Sequence, residues 1–395
     1  MLRPPLICEP SPQRCALGAT RRLSRRERGS KAWRAVRAWL LIALVYLPSI
    51  ASALTTQPLD ADWQFRIAPD DAHAREHPRA KQWLPATVPG SVQTDLMALK
   101  LIPDPYWRDD EAKVQWVGLS NWQYRKSFDV DAATLSRAHV DLVFDGLDTF
   151  ADVYLNGRKI LAADNMFRRW RVPVKTLLHA GTNTLEVRLY SPIERLQPWL
   201  LKQPYALPGE FDSAFGDEPK GKQTANYVRK AAYQYGWDWG PRIVTEGIWQ
   251  GVKLESWDAL RLADFHVAQR QVTAVVAKLD AQLDIKSDTA ATAHVELRWR
   301  APNGSMQSLQ HDVALKTGDN RVAIPLQIAH PQRWWPVGYG KPNLYDFHVD
   351  VATGGKVLAS SDRETGLRSI KLRRQKDQWG KSFEFVVNGV PIFAK

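Results

Sequence analysis

The chain runs to 395 residues, 44% hydrophobic and 24% charged, the proportions of an ordinary globular protein long enough for two or three domains with cores of their own. Its net charge of +12 would suit a nucleic-acid partner if it lay on one face of the folded chain. It does not: residues 1–53 hold ten Lys or Arg against Glu9 and Glu27, so +8 of the +12 sits there, and the remaining +4 forms no basic block. No nucleic-acid partner is expected.

Residues 1–53 read as a signal peptide. Arg34 and Arg37 lead into the apolar run AWLLIALVYLPSI, and Ala51-Ser52-Ala53 supplies the small-x-small cleavage pattern. An apolar run of about 13 residues is too short to span a bilayer comfortably, which favours cleavage over an uncleaved anchor. The expected location is periplasmic or secreted, with no membrane attachment after cleavage. Both cysteines, Cys8 and Cys15, fall in this segment. The rest of the chain therefore has no thiol for a disulfide, a nucleophile or a metal site.

A helix is expected at about 91–99, opened by Ser91 after Pro89-Gly90, with Val92, Leu96 and Leu99 on one face. Period-2 alternation then dominates: VDLVF (140–144), ADVYLN (151–156) and NTLEVRLY (183–190) each put apolar residues on one face and polar ones on the other. Asn156-Gly157 is a hairpin turn signal, and Gly181-Thr182-Asn183 is a turn feeding a strand. These features predict an antiparallel sandwich or jelly roll of about 200 residues. The stretch 193–232, with Pro198, Pro204, Pro208, Pro219 and several glycines, predicts a long loop of the kind that is usually functional or disordered.

That loop delivers the chain into QYGWDWGPR (234–242), where Asp238 sits between Trp237 and Trp239 and Gly240-Pro241 follows. Two readings stand here: a packed corner in which the aspartate caps a turn, or a sugar site in which indoles stack and the carboxylate accepts hydroxyl hydrogen bonds. Seventeen tryptophans suit either, because both carbohydrate sites and large sandwich cores use them. From about 259, LDAQLDIKS (279–287), AHVELRWRA (293–301) and RVAIPLQI (321–328) predict an immunoglobulin-like sandwich without its disulfide. The final SFEFVVNGVPIFAK (382–395) is a hairpin around Asn388-Gly389.

Searches for chemistry return little. There is no phosphate loop, no HExxH among nine histidines, and no GxSxG elbow. No cofactor and no metal are expected. Glu111, Glu246 and Asp238 are candidates for acid–base work, each with a structural role as the default alternative.

Several motifs in order then carry a resemblance. ATVPGSVQTDLMALKLIPDPYW (86–107), WQYRKSF (122–128), FDGLDTFADVYLNG (144–157), NMFRRWRV (165–172), RKAAYQYGWDWGPR (229–242), GIWQGVKLESW (247–257) and RWWPVGYGKPNLY (333–345) resemble the non-catalytic N-terminal half of family 2 glycoside hydrolases, specifically β-mannosidases. The resemblance implies an all-β chain: a signal peptide at 1–53, a jelly-roll sugar-binding-like domain at 54–258 and an immunoglobulin-like β-sandwich at 259–372. Residues 373–395 would be the first hairpin of a truncated (β/α)8 barrel. Family members are retaining exo-enzymes that remove terminal β-D-mannose, using two glutamates about 5 Å apart at barrel strand ends. The family's acid/base glutamate follows an asparagine, and no asparagine here is followed by glutamate. Both catalytic residues are expected beyond Lys395, so this stretch alone would be inactive.

The resemblance also implies that Asp238 accepts hydroxyl hydrogen bonds from the terminal sugar of a β-mannoside oligosaccharide. Trp237 would wall its pocket and Arg229 would orient Asp238. Asn165, Phe167 and Arg168 form another loop motif considered for that pocket, while Trp334-Trp335 is expected to pack in a core or between domains. The alternative from a different class is a free-standing secreted carbohydrate-binding β-sandwich protein. An apolar hairpin at the last residues speaks for the enzyme half. Nothing in the pattern fixes an oligomeric state.

Overall fold

The computed structural model describes residues 54–205, 207, 217–237 and 240–393. The proposed signal peptide lies outside the described residues, among which no helix is long and apolar enough to cross a membrane.

The first sandwich pairs two antiparallel sheets. One has six strands in the order Leu84–Ala86, Trp63–Ile67, Trp122–Val130, Gly181–Tyr190, Phe150–Leu155 and Arg158–Asp164. The other has four, in the order Thr55–Pro58, Val252–Trp257, His139–Phe144 and Trp170–Pro173. Alternate residues of both sheets fill one core, including Phe65, Trp122, Tyr124, Leu142, Phe144, Val187 and Leu254. Its aromatic heart has Phe65 with ring centroids 5.8 Å from both Trp122 and Tyr124. Much of the tryptophan content is therefore core: Trp63, Trp122 and Trp257 are almost fully buried.

Short-range signals work as expected. Ser91 caps the helix Val92–Ala98 in a reciprocal capping box with Thr94. Asn156 and Gly157, with φ of 50° and 79°, make the two-residue turn between Phe150–Leu155 and Arg158–Asp164. Asn388 and Gly389 do the same between Glu384–Val387 and Val390–Ile392, with φ of 52° and 90°.

Two expectations fail. The stretch 193–232 is not all loop: Pro192–Leu200 is an α-helix, capped by Ser191 and started by Pro192, with Pro198 inside it. Proline at the first helical position is favourable, and Pro198 falls in the last turn, where it shortens the helix instead of preventing it. Residues 206 and 208–216 of that stretch lie outside the described residues. Nor does strand His139–Phe144 alternate between core and water, since Val140 to Phe144 are all buried. Asp141 is accommodated there because its Oδ2 accepts from Arg171 Nη1 (2.9 Å) and Trp257 Nε1 (3.1 Å).

The second sandwich has three strands in the order Leu260–Val272, Val276–Ser287, Gly318–Ala329 and four in the order Met306–Leu315, Ala291–Arg300, Tyr345–Thr353, Lys356–Thr365. Its own core includes Phe265, Leu283, Ile285, Leu297, Trp299, Phe347 and Val349. Pro325 lies in Gly318–Ala329, an edge strand, where its missing N–H costs no ladder bond.

The two sandwiches meet around Trp257. The His139 ring stacks on it with centroids 3.7 Å apart, and His139 Nε2 lies 2.7 Å from Asp288 Oδ2 of the second sandwich. Arg137 pairs with Asp258 at 2.8 Å. A last three-stranded sheet, Ile370–Arg373, Glu384–Val387 and Val390–Ile392, hangs from the second sandwich through Asn388. That side chain accepts from Ser369 N (3.0 Å) and donates to Trp334 O (2.9 Å). Trp334 is half-buried beside this joint, under the Arg368 guanidinium at 5.1 Å.

Candidate functional site

The QYGWDWGPR segment forms a small hairpin on the first sandwich. Strand Tyr235–Trp237 pairs with Gly240–Arg242, with Tyr235 opposite Arg242 and Trp237 opposite Gly240. The two ends of the hairpin are treated differently by the fold. At its base Tyr235 and Arg242 are both 1% exposed, whereas Trp237 near the tip is 46% exposed. Asp238 and Trp239, between the strands, lie outside the described residues.

Arg242 anchors the base. Its guanidinium reaches Asp217 (2.8 Å), Glu218 (3.0 Å) and Gln115 Oε1 (2.6 Å), and its backbone N–H donates to Glu111 Oε1 (2.6 Å). Gln115 Nε2 donates back to the Arg242 carbonyl at 2.9 Å. Glu218 Oε1 in turn accepts from both the backbone N and Oγ1 of Thr224 at 2.6 Å. A buried guanidinium is tolerable only when paired and hydrogen-bonded in this way.

A second anchor is Lys230, with a fully buried side chain. Its Nζ lies 2.5 Å from Asp148 Oδ1 and also donates to the Thr245 carbonyl, while Thr245 Oγ1 donates to Asp148 Oδ2 at 2.7 Å. Burial lowers the Lys230 pKa, and the Asp148 carboxylate opposes that. Beside this pair lies Glu246, fully buried, with no hydrogen-bond partner on either carboxylate oxygen. Burial pushes its carboxyl well above the usual carboxylate range, while the Lys230 charge pulls the other way. The chain around Glu246 is tightly packed: Val92 N donates to its carbonyl at 2.8 Å, and a Cβ on the next residue, Gly247, would sit 2.4 Å from the Gly90 carbonyl oxygen. Only glycine allows that crossing.

Arg229 is exposed, and its backbone bridges to Asn165 in parallel, with Met166 N donating to Arg229 O at 3.0 Å. The structure thus brings the Asn165–Arg168 loop beside the segment leading into the hairpin. Phe167 is exposed there, and Trp249 Nε1 holds the loop through Met166 O at 2.9 Å. Arg168 turns instead over the Trp170 ring, 4.7 Å from its centroid.

On its other side the hairpin borders a cleft of about 260 Å³ lined by Met97, Ile102, Tyr106, Tyr233, Gln234 and Pro241, among others. Tyr106 and Tyr233 are both strongly exposed. An apolar cleft with aromatic rings and a few amide and hydroxyl groups can hold the C–H faces of a sugar and its hydroxyls. Sequence reading missed Tyr106 and Tyr233 as cleft residues; both stand in quoted motifs, but nothing local distinguishes a rim tyrosine from a core one.

Of the three acids weighed for acid–base work, Glu111 is committed to the Arg242 backbone and Glu246 is sealed from solvent. Asp238 lies outside the described residues. Among the described residues no group of three or more His, Cys, Asp or Glu is placed to hold a metal ion.

Residues 63–250 match the glycosyl hydrolase 2 galactose-binding domain-like family, and residues 260–368 match glycosyl hydrolases family 2. β-Mannosidase B of Aspergillus oryzae is 33% identical over 352 residues, covering 87% of this chain and 38% of that protein. The Aspergillus terreus β-mannosidase B is 34% identical over 343 residues, covering 85% and 38%. The crystal structure of a β-D-mannosidase from Dictyoglomus thermophilum superimposes with a TM-score of 0.76 at 38% identity, covering 86% of this chain and 40% of that one. An exo-chitosanase from Amycolatopsis orientalis, at 21% identity and a TM-score of 0.61, shares the fold. The chain spans about 38% of the length of the curated relatives it matches. Carrying these two domains in this order, the chain belongs to family 2 of the glycosyl hydrolases, among whose members the β-mannosidases are similar to it over most of its length.

Proposed function

We propose that this chain is the N-terminal, non-catalytic part of a secreted retaining exo-β-mannosidase that removes terminal β-D-mannose from oligosaccharides. The division at 54–258, 259–372 and 373–395 is part of that proposal, with the last segment opening a catalytic barrel. Similarity to β-mannosidases over 87% of the chain carries the reading. The half-exposed Trp237, on a hairpin braced from beneath by Arg242, supports it at the level of the site.

In this reading the hairpin is a prop built by the first sandwich for a pocket completed elsewhere. Trp237 offers an indole face to the C–H face of the terminal sugar, and Asp238 accepts its hydroxyl hydrogen bonds. Arg229, one strand-length upstream, supplies positive charge that steadies the Asp238 carboxylate. Binding energy gained there is useful to the reaction to the extent that it grows toward the transition state.

Hydrolysis with retention needs two carboxylates flanking the scissile bond, and the reading assigns both to residues beyond Lys395. The purified 395-residue chain is therefore expected to give no turnover of 4-nitrophenyl β-D-mannopyranoside above the uncatalysed rate, while a protein continuing this chain through its barrel turns it over. Turnover by the 395-residue chain that disappears when one of its own carboxylates is replaced would overturn the proposal.

A further inference from the structure

The outward face of the six-stranded sheet is organised in a way that the hairpin site does not use. Register places Gln64, Arg125, Glu186 and Tyr154 in one cross-strand row over four strands, and Arg66, Gln123, Arg188 and Asp152 in the next. Successive side chains of a strand point to opposite faces, so both rows stand on the same side of the sheet. Two recesses, of about 190 and 410 Å³, open along these rows, and Glu186 lines both.

The side chains are held in place by one another. Arg125 Nε donates to Gln64 Oε1 (2.9 Å) and Arg66 Nε to Gln123 Oε1 (3.0 Å), so each guanidinium is tied through one nitrogen. The same two guanidiniums clasp the Trp83 indole from 4.1 and 4.3 Å, which fixes their planes. Arg188 is fixed by Asp70, with Nη2 at 2.7 and 2.9 Å from its two carboxylate oxygens. Among the described residues neither Arg66 nor Arg125 has a carboxylate partner, and no donor reaches the exposed Glu186 carboxylate.

We propose that this face is a second binding site, for a neutral, hydroxyl-rich oligosaccharide. A carboxylate flanked by guanidinium and amide groups supplies acceptors and donors side by side, which is what adjacent sugar hydroxyls require. The mixed signs disfavour a polyanion or a polycation, because each would meet a like charge within the row. Tyr154, on which no ring or cation stacks among the described residues, adds an apolar face for C–H packing. Four strands at about 4.8 Å spacing make each row about 14 Å long, the reach of an oligosaccharide and not of one sugar. Such a site would hold the protein on a glycan surface whatever the hairpin does.

The test is calorimetric titration of the 395-residue chain with β-1,4-mannohexaose and with cellohexaose. Saturable binding of at least one is expected, unchanged by Arg321→Ala on the exposed surface of the second sandwich and weakened at least tenfold by Arg125→Ala and by Glu186→Gln. Hydrogen exchange should slow on 122–130 and 181–190 when the sugar is present. Glu186→Gln keeps the shape of an exposed, unpartnered side chain, so an unchanged thermal midpoint confirms that the variant is folded. Binding of neither sugar, binding that survives both sheet substitutions, or preferential binding of heparin would overturn the proposal. None of those results bears on the hairpin, and loss of binding in Trp237→Ala alone would move the glycan site there and also overturn it.

Discussion

Lys230 and Asp148 stand 82 residues apart in sequence and meet at 2.5 Å, their side chains 0% and 2% exposed. One comes from the approach to the hairpin, the other from the turn before strand Phe150–Leu155. Lys230→Met leaves Asp148 as a buried charge with only hydroxyl donors, and should cost about 3–5 kcal/mol in urea denaturation. The double variant Lys230→Met/Asp148→Leu should lose clearly less than the sum of the two single variants. Additive losses would mean that the two groups do not support each other.

Glu246 gives a pH signature. Its folded pKa lies above the unfolded value, so between the two the folded state keeps a proton that the unfolded chain releases. Its contribution to stability therefore falls as pH rises from about 4.3, the ordinary glutamate value, toward the folded pKa. Glu246→Gln removes the titration while keeping the shape. The variant should match the parent near pH 4 and be the more stable of the two at pH 7, as read from thermal midpoints across the range. A variant less stable than the parent at pH 7 would show that the carboxylate is charged and useful.

Asp238→Ala separates the two meanings of the WDW segment. In the complete enzyme that the proposal requires, the substitution should cost about 2–4 kcal/mol in kcat/KM, as for a charged hydrogen bond lost from a desolvated site. Its thermal midpoint should barely move. A corner-capping aspartate would do the reverse, lowering stability by about 1–2 kcal/mol and leaving kinetics nearly intact. Measuring both on one purified variant decides between them.

Export is tested at the N-terminus. The order basic, apolar, Ala51-Ser52-Ala53 leads us to expect cleavage after Ala53 in a bacterial host. N-terminal sequencing of protein recovered from the periplasm or medium should begin at Leu54. An intact N-terminus recovered from the cytosol is incompatible with the secreted location proposed here.

What the sequence made legible was local. Asn156-Gly157 and Asn388-Gly389 declare their turns because two consecutive positive φ values suit few other dipeptides, and Ser91 declares a helix because its cap is made within three residues. The sandwich strands follow from alternation wherever one face meets solvent. The charges that brace the hairpin were not legible. Arg242 finds Glu218 24 residues upstream and Gln115 127 residues away, distances at which no spacing rule operates. Asp141 looked like a solvent-facing residue because its partners, Arg171 and Trp257, arrive from other strands. The helix Pro192–Leu200 was hidden by Pro198, a residue that argues against a helix except near its end.

The His139 ring, stacked on Trp257 and bonded at its Nε2 edge to Asp288, braces the joint between the sandwiches. Trp237 is carried by the first sandwich, and the sheet at 370–392 is carried by the second through Asn388. Whatever is built onto that last sheet is therefore tied to the sandwich that carries the hairpin partly through this histidine and tryptophan. A substitution such as His139→Ala would then act like a bent gunsight, leaving every binding group intact and pointing it slightly wrong.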